Sequence, residues 1–70
     1  MSSGTVRWFN EDKGFGFITP ADGEKDLFVH RSGIRSPAFK PLHQGDKVSF
    51  EVASTQKGLK AIDVVVEYAD

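Results

Sequence analysis

Cysteine is absent from the 70 residues of the sequence, which excludes disulfides and thiolate metal sites. A chain of this length builds one small core, and without covalent cross-links that core must be efficient or be helped by a ligand. No apolar run approaches the roughly 18 residues of a membrane helix, and no signal-peptide segment follows Met1. We therefore expect one soluble domain over residues 1–70, in a reducing compartment such as the cytoplasm.

An excess of charge of one sign is also lacking. Nine Lys and Arg residues against ten Asp and Glu residues leave a net charge of −1, which excludes a generic polycation that coats nucleic acid. Acidic residues gather in two predicted turns, 11–12 and 22–26, whereas many cations lie nearer the aromatic stretches. These cations are Arg7, Lys13, Arg31, Lys57 and Lys60. Local charge should therefore matter more than net charge.

Motifs for catalysis and metal binding are missing as well. The glycines around Phe15 lack the GxxxxGK[ST] pattern of a phosphate loop and a helix after it. His30 and His43 are too isolated for a catalytic dyad or for a zinc site, which needs about four ligands. No carboxylate pair stands beside a candidate nucleophile. We expect no enzymatic activity, no cofactor, no metal and no small-molecule substrate.

Short apolar and aromatic runs separated by turn-forming residues fill the chain. They predict five strands, at residues 4–10, 14–20, 26–31, 47–52 and 59–68. Asp22-Gly23 and Lys57-Gly58 predict tight turns, and Pro37 and Pro41 restrict the one segment with room for a helix. The pattern predicts an all-β fold, a small five-stranded antiparallel barrel. Periodicity alone does not distinguish an oligonucleotide-binding (OB) barrel from an SH3-like barrel.

The segment KGFGFI, residues 13–18, places its two phenylalanines on one face of a strand. The Asp22-Gly23 turn would make residues 26–31 its antiparallel neighbour, with Phe28 and His30 on that same face. Either this face is buried, or aliphatic residues form the core and the rings face water. The aliphatic candidates are Val6, Ile18, Leu27, Val29, Ile34, Val48, Val52, Ile62, Val64 and Val66. The alternation leaves both arrangements open. We expect Phe50 to be a half-buried strand residue and not a member of the aromatic face.

An outward aromatic face would be a binding surface, because exposed rings are unfavourable in water without a partner. Rings flanked by cations suit single-stranded nucleic acid, which offers a base to each ring and a phosphate to each cation. A protein-interaction barrel of SH3 type, which binds proline-rich peptides, also exposes aromatics and is the alternative. Trp8 alternates with Val6 and would point inward unless a bulge near Arg7 released it.

Four segments resemble the bacterial cold-shock proteins. KGFGFI (13–18) and LFVHRS (27–32) resemble the two ribonucleoprotein motifs of that family. GTVRWFN (4–10) and QGDKVSFEV (44–52) resemble its first and fourth strands. The resemblance covers essentially the whole chain. It implies a cold-shock domain with an OB-fold that binds single-stranded RNA and DNA, with outward aromatics and a bend in the first strand.

The resemblance also implies the site residues. Those expected to stack on bases are Trp8, Phe15, Phe17, Phe28, His30 and Phe39, with Phe9 at the edge of the same platform. Those expected along the phosphates are Arg7, Lys13, Lys57 and Lys60. Arg31 stands where the family usually has an aromatic residue, and we expect its guanidinium to stack on a base.

The function implied is that of an ATP-independent RNA chaperone. By binding unpaired strands, most tightly pyrimidine-rich ones, such a protein would melt weak RNA secondary structure and affect transcription termination and translation. We expect a monomer, with Val65 and Tyr68 permitting a weak dimer contact.

Overall fold

The computed structural model of the protein describes residues 2–36 and 42–67. Its strands are β1 (Ser2–Asn10), β2 (Phe15–Pro20), β3 (Leu27–His30), β4 (Ile34–Ser36), β5 (Lys47–Thr55) and β6 (Gly58–Val66), and a 3₁₀ turn spans Arg31–Gly33. Within these two ranges, no helix is long and apolar enough to cross a membrane.

The strands form one sheet that closes on itself as a barrel. The order is β3-β2-β1-β5-β6-β4, and the first four neighbouring pairs are antiparallel. Closure comes from a parallel pairing of β3 with β6, in which Phe28 lies opposite Lys60 and Val29 opposite Ala61. The three-residue β4 also pairs in parallel with β6. The predicted five-stranded OB barrel is confirmed, with β4 as a short addition and a parallel seam that the sequence pattern did not predict.

The interior of the barrel is mainly aliphatic. Its buried apolar residues are Val6, Ile18, Leu27, Val29, Leu42, Val48, Phe50, Ala61, Val64 and Val66. Ile34, which we predicted to be core, is half-buried and packs against this cluster. The structure thus adopts the arrangement in which aliphatic side chains form the core, and the ring-bearing face of β2 and β3 is left open.

Two predictions on β5 are wrong. Phe50, predicted to be half-buried, is 1% exposed and is the largest fully buried side chain of the core. Val52, predicted to be core, is 44% exposed. The reason is that β1 pairs with β5 only as far as Phe50, while the β5–β6 pairing continues to Thr55 and Gly58. The hairpin therefore extends beyond the β1–β5 pairing, and no strand of the described residues covers the Val52 side chain.

A bulge in β6 explains a third difference from prediction. Between the pairs Ser49–Val65 and Glu51–Ile62, one residue of β5 opposes two residues of β6. The extra residue is Asp63, whose φ of 51° lies in the left-handed region, which aspartate tolerates better than most residues. Because the bulge shifts the alternation, Ala61 takes the buried position that we assigned to Ile62, which is half-buried.

Candidate nucleic-acid interface

A β-bulge at Arg7 turns the Trp8 side chain to the outer face. Val6 lies opposite Ile18, but Trp8 lies opposite Phe17, so Arg7 has no partner residue across the β1–β2 ladder. Trp8 consequently joins the ring-bearing face and is 39% exposed. This confirms the predicted bend. The close approach of the strands requires Gly16, because a Cβ there would collide with the Trp8 carbonyl oxygen.

The register of β2 and β3 sorts their side chains onto two faces. Phe15 lies opposite His30 and Phe17 opposite Phe28. These pairs share the outer face, because directly opposed residues of an antiparallel pair point to the same side. The three phenylalanines are half-buried and His30 is exposed. The residues that alternate with them along the two strands, such as Ile18, point into the core.

Four rings on this outer face contact one another in a closed circuit, which we call the ring face (Trp8, Phe15, Phe17 and Phe28). The Trp8 centroid lies 5.6 Å from that of Phe15 and 5.3 Å from that of Phe17. Phe28 completes the circuit at 5.8 Å from Phe15 and 6.0 Å from Phe17. These distances are typical of favourable aromatic pairs, so the rings hold one another in place while one side stays in water.

His30 continues the ring face and caps the 3₁₀ turn that follows it. Its Nδ1 accepts a hydrogen bond from the backbone N–H of Ser32 at 3.1 Å and lies 2.9 Å from Ser32 Oγ. Since Nδ1 accepts the N–H, the neutral ring carries its proton on Nε2. The contact fixes the position of the imidazole beside Phe15.

Arg31 lies across the turn between β1 and β2. Its backbone N–H donates to the Gly14 carbonyl at 2.7 Å, and its Nη2 lies 3.5 Å from the Asp12 carbonyl oxygen. The guanidinium covers Gly14, where a Cβ would collide with Nε. Gly14 also has a φ of 76°, a conformation that glycine adopts without strain. The turn thus supports an arginine where the resemblance implies an aromatic ring.

Arg7 already has a carboxylate partner. Its Nη1 donates to Asp26 Oδ2 at 2.8 Å, with the Arg7 side chain 64% exposed. Asp26 Oδ1 accepts a second hydrogen bond, from Thr19 Oγ1, at 3.0 Å. The positive charge of Arg7 is therefore partly compensated, although most of its side chain remains exposed.

The three lysines assigned to the phosphates lie on different sides of the ring face. Lys60 is opposite Phe28 across the parallel seam. Lys57 sits in the β5–β6 turn, where its backbone N–H donates to Thr55 Oγ1 at 3.2 Å, and it lines a shallow surface with Phe28. Lys13 is exposed in the turn directly before Phe15. Charge is therefore available along both edges of the ring face.

Phe9 is a predicted site residue that the structure does not bring to the ring face. Phe9 lies opposite Gly16 and packs against the core, because the bulge that turns Trp8 outward turns its neighbour inward. Phe39 lies outside the described residues, as does Tyr68. Sequence reasoning also missed Leu59, which is 57% exposed. Its exposure could have been predicted from its position directly after the Lys57-Gly58 turn, at the end of a hairpin.

The ring face offers stacking, cation contacts and few fixed polar groups. Within residues 2–36 and 42–67, no group of three or more His, Cys, Asp or Glu residues could hold a metal ion. The same residues contain no buried polar or charged side chain. The four rings and the lysine opposite Phe28 suit flat, unsaturated ligands that carry negative charge.

Comparison with known proteins gives consistent matches. Residues 2–67 match the family described as "Cold-shock" DNA-binding domain. Cold shock-like protein CspC of Escherichia coli K12 is 59% identical over 61 residues, which cover 87% of this chain and 88% of that protein. Glycine-rich protein 2 of Nicotiana sylvestris is also 59% identical, over 64 residues, 90% of this chain and 30% of that protein. The solved structure of drosophila Unr CSD456 superposes with a TM-score of 0.78 at 25% identity, covering 96% of this chain and 26% of that chain.

Proposed function

Since the chain belongs to the cold-shock domain family and is a nucleic-acid-binding protein of the cold-shock type, we propose that it binds unpaired RNA and DNA by stacking bases on the ring face. One observation carries this proposal. Four mutually contacting aromatic side chains lie on the outside of a barrel whose core is complete without them. Rings in this position contribute favourable free energy mainly when a ligand covers them and removes them from water.

Each predicted residue has a role in this proposal. Trp8, Phe15, Phe17, Phe28 and His30 stack on successive bases, and Phe39 adds a further ring from the segment between β4 and β5. Arg31 stacks its guanidinium on a base beside Phe15. Lys13, Lys57 and Lys60 contact phosphates, and Arg7 does so from its exposed side chain. Phe9 supports the face from the core side.

Stacking contributes about 1–3 kcal/mol per base, or about 4–12 kcal/mol for four bases. Ordering a flexible strand and losing its translational freedom opposes this by several kcal/mol. We expect dissociation constants between micromolar and tens of nanomolar for short pyrimidine-rich oligonucleotides. Neutralising about three phosphates gives a slope of log K against log salt near −2.

The same chemistry makes the protein an RNA chaperone. Paired bases hide their faces, so binding to unpaired strands draws the equilibrium of a weak hairpin toward its open form. No ATP and no catalytic residue is needed. The protein would act in this way as a monomer of one cold-shock domain in the cytoplasm, and would thereby influence transcription termination and translation.

A fluorescence titration of Trp8 tests the proposal. Oligo-dT, oligo-dA, the matching RNA strands and a duplex are added at two salt concentrations, with a proline-rich peptide as the competing ligand class. We expect saturable quenching by single strands and little by the duplex. Quenching by the peptide but not by oligo-dT would refute nucleic-acid binding on this face and favour a protein-interaction barrel.

A further inference from the structure

A groove of about 620 Å³ adjoins one end of the ring face. Its walls include Phe17 and Phe28, which belong to the ring face, and Val52 and Leu59 from the β5–β6 hairpin. We call this space the hairpin groove. Its volume falls in the range of about 300–1,000 Å³ that is typical of small-ligand sites. The groove is thus large enough for a nucleotide and is continuous with the proposed binding surface.

The aliphatic walls of the hairpin groove are unusually exposed. Val52 and Leu59 are, with Trp8, the exposed large hydrophobic residues of the part of the chain that the structure describes. Trp8 is accounted for by the ring face. Val52 and Leu59 face water because the hairpin runs beyond β1, and neither contributes to the core. Covering this apolar surface with a further base, next to the base-stacking surface, would be favourable for binding.

The two sides of the hairpin groove carry opposite charge. Lys57 lies on the hairpin side, and Lys60 is close by on β6, opposite Phe28. The β2–β3 turn on the other side presents the carboxylates of Asp22, Glu24 and Asp26 against one cation, Lys25, so this side is negative in sum. Asp22 Oδ1 accepts a hydrogen bond from the Glu24 backbone N–H at 3.0 Å. A nucleotide is complementary to this arrangement, because its phosphate can contact the lysine side while the edge of its base contacts the carboxylate side.

We propose that the hairpin groove is an additional nucleotide subsite that prefers a base with an exocyclic amino group. Lys57 would contact the phosphate, Leu59 and Val52 would pack on the base, and Glu24 would accept a hydrogen bond from the amine. Carboxylates accept from the N4 amine of cytosine, whereas thymine and uracil present an O4 acceptor at that position. The proposal rests on the proposed function, because the strand must already lie across Phe17 and Phe28 to reach the groove.

A terminal-extension experiment tests the subsite. Dissociation constants are measured for dT6 and for dT6 extended at either end by one dC, one dT or one abasic nucleotide. We expect dC at one of the two ends to tighten binding about tenfold, which is the effect of one well-stacked base. A terminal dT should gain several-fold less than dC, and the abasic nucleotide should gain little.

Two variants link the effect to the groove. Leu59→Ser should abolish the gain from dC while leaving the affinity for dT6 unchanged, and circular dichroism verifies its fold. Glu24→Gln should reduce the preference for dC over dT. Glu11→Gln is the matched control, because it removes the same charge from the exposed turn between β1 and β2 and should leave that preference unchanged.

The outcomes separate this subsite from the function on which it rests. If dT6 itself does not bind, the proposed function is wrong. If dT6 binds but neither end shows a gain, or if Leu59→Ser keeps the full gain, the subsite is overturned. A dimer in sedimentation that Leu59→Ser dissociates would also overturn it, because a second copy of the chain would then cover the groove.

Discussion

The two faces of the β2–β3 pair place neighbouring residues in opposite environments, one in the core and the other on the outside of the barrel. Ile18 is fully buried, while Phe17, its neighbour in the chain, lies on the outer face in contact with Trp8 and Phe28. Phe50 extends the contrast, because the same residue type as Phe17 is there 1% exposed. Phenylalanine therefore stabilises the fold at one position and is kept available for a ligand at the other.

Separate sets of side chains therefore account for stability and for binding. The core is closed by aliphatic residues and Phe50, so the ring face adds little that the barrel needs. Substitutions on the two faces should accordingly produce different phenotypes. Truncation of a core residue should lower the free energy of unfolding, and truncation of a ring should lower affinity.

The largest effect is expected from Phe50→Ala. Removing a buried phenylalanine costs about 3–5 kcal/mol, which is a large part of the stability of a small domain. Denaturation followed by circular dichroism measures the change. Phe17→Ala is the matched control of identical chemistry on the outer face, and a loss as large as that of Phe50→Ala would contradict the contrast between the faces.

Next in size is the effect of Phe17→Ala or Phe28→Ala on binding. Each should weaken the affinity for a single-stranded oligonucleotide by about 1–3 kcal/mol, measured by titration of Trp8 fluorescence. Ile18→Val, which removes one methyl group on the other face, should cost about 0.5–1.5 kcal/mol of stability and leave affinity unchanged. Ring variants that bind normally, or that are unfolded, would count against a solvent-facing platform.

The smallest effect concerns the charges around the ring face. For wild-type protein the slope of log K against log salt should be near −2, and Lys57→Gln should make it shallower by about 0.7, the value for one phosphate on a single strand. Lys47→Gln is the control, because Lys47 is exposed at the start of β5 and lies opposite Thr5, which is not part of the ring face. Equal changes for the two variants would indicate a diffuse electrostatic effect.

Much of the ring face could be predicted from alternation and turns. The spacing of Phe15 and Phe17, together with the Asp22-Gly23 turn, was enough to put Phe28 and His30 on their side. Alternation left open which side was buried, and the family resemblance was needed to choose. Trp8 required the same help, because a bulge breaks the alternation from which its direction would be read.

Other positions could not be predicted, for reasons of geometry. Ala61 replaces Ile62 in the core because Asp63 forms a bulge, and no residue pattern marks that bulge. Phe9 turns toward the core for the corresponding reason in β1. Val52 is exposed because the pairing of β5 with β1 extends only to Phe50, and a local residue pattern does not show how far two strands pair.

The amino-acid sequence was enough to predict five of the strands, the turns that join two pairs of them, and the shared face of Phe15, Phe17, Phe28 and His30, because strand periodicity and turn conformations depend on residues close in the chain. Only the folded barrel reveals the bulge at Asp63, the parallel seam between β3 and β6, and the overhang that opens the hairpin groove. These features follow from closing the barrel, in which each strand must fit neighbours that are distant in the sequence.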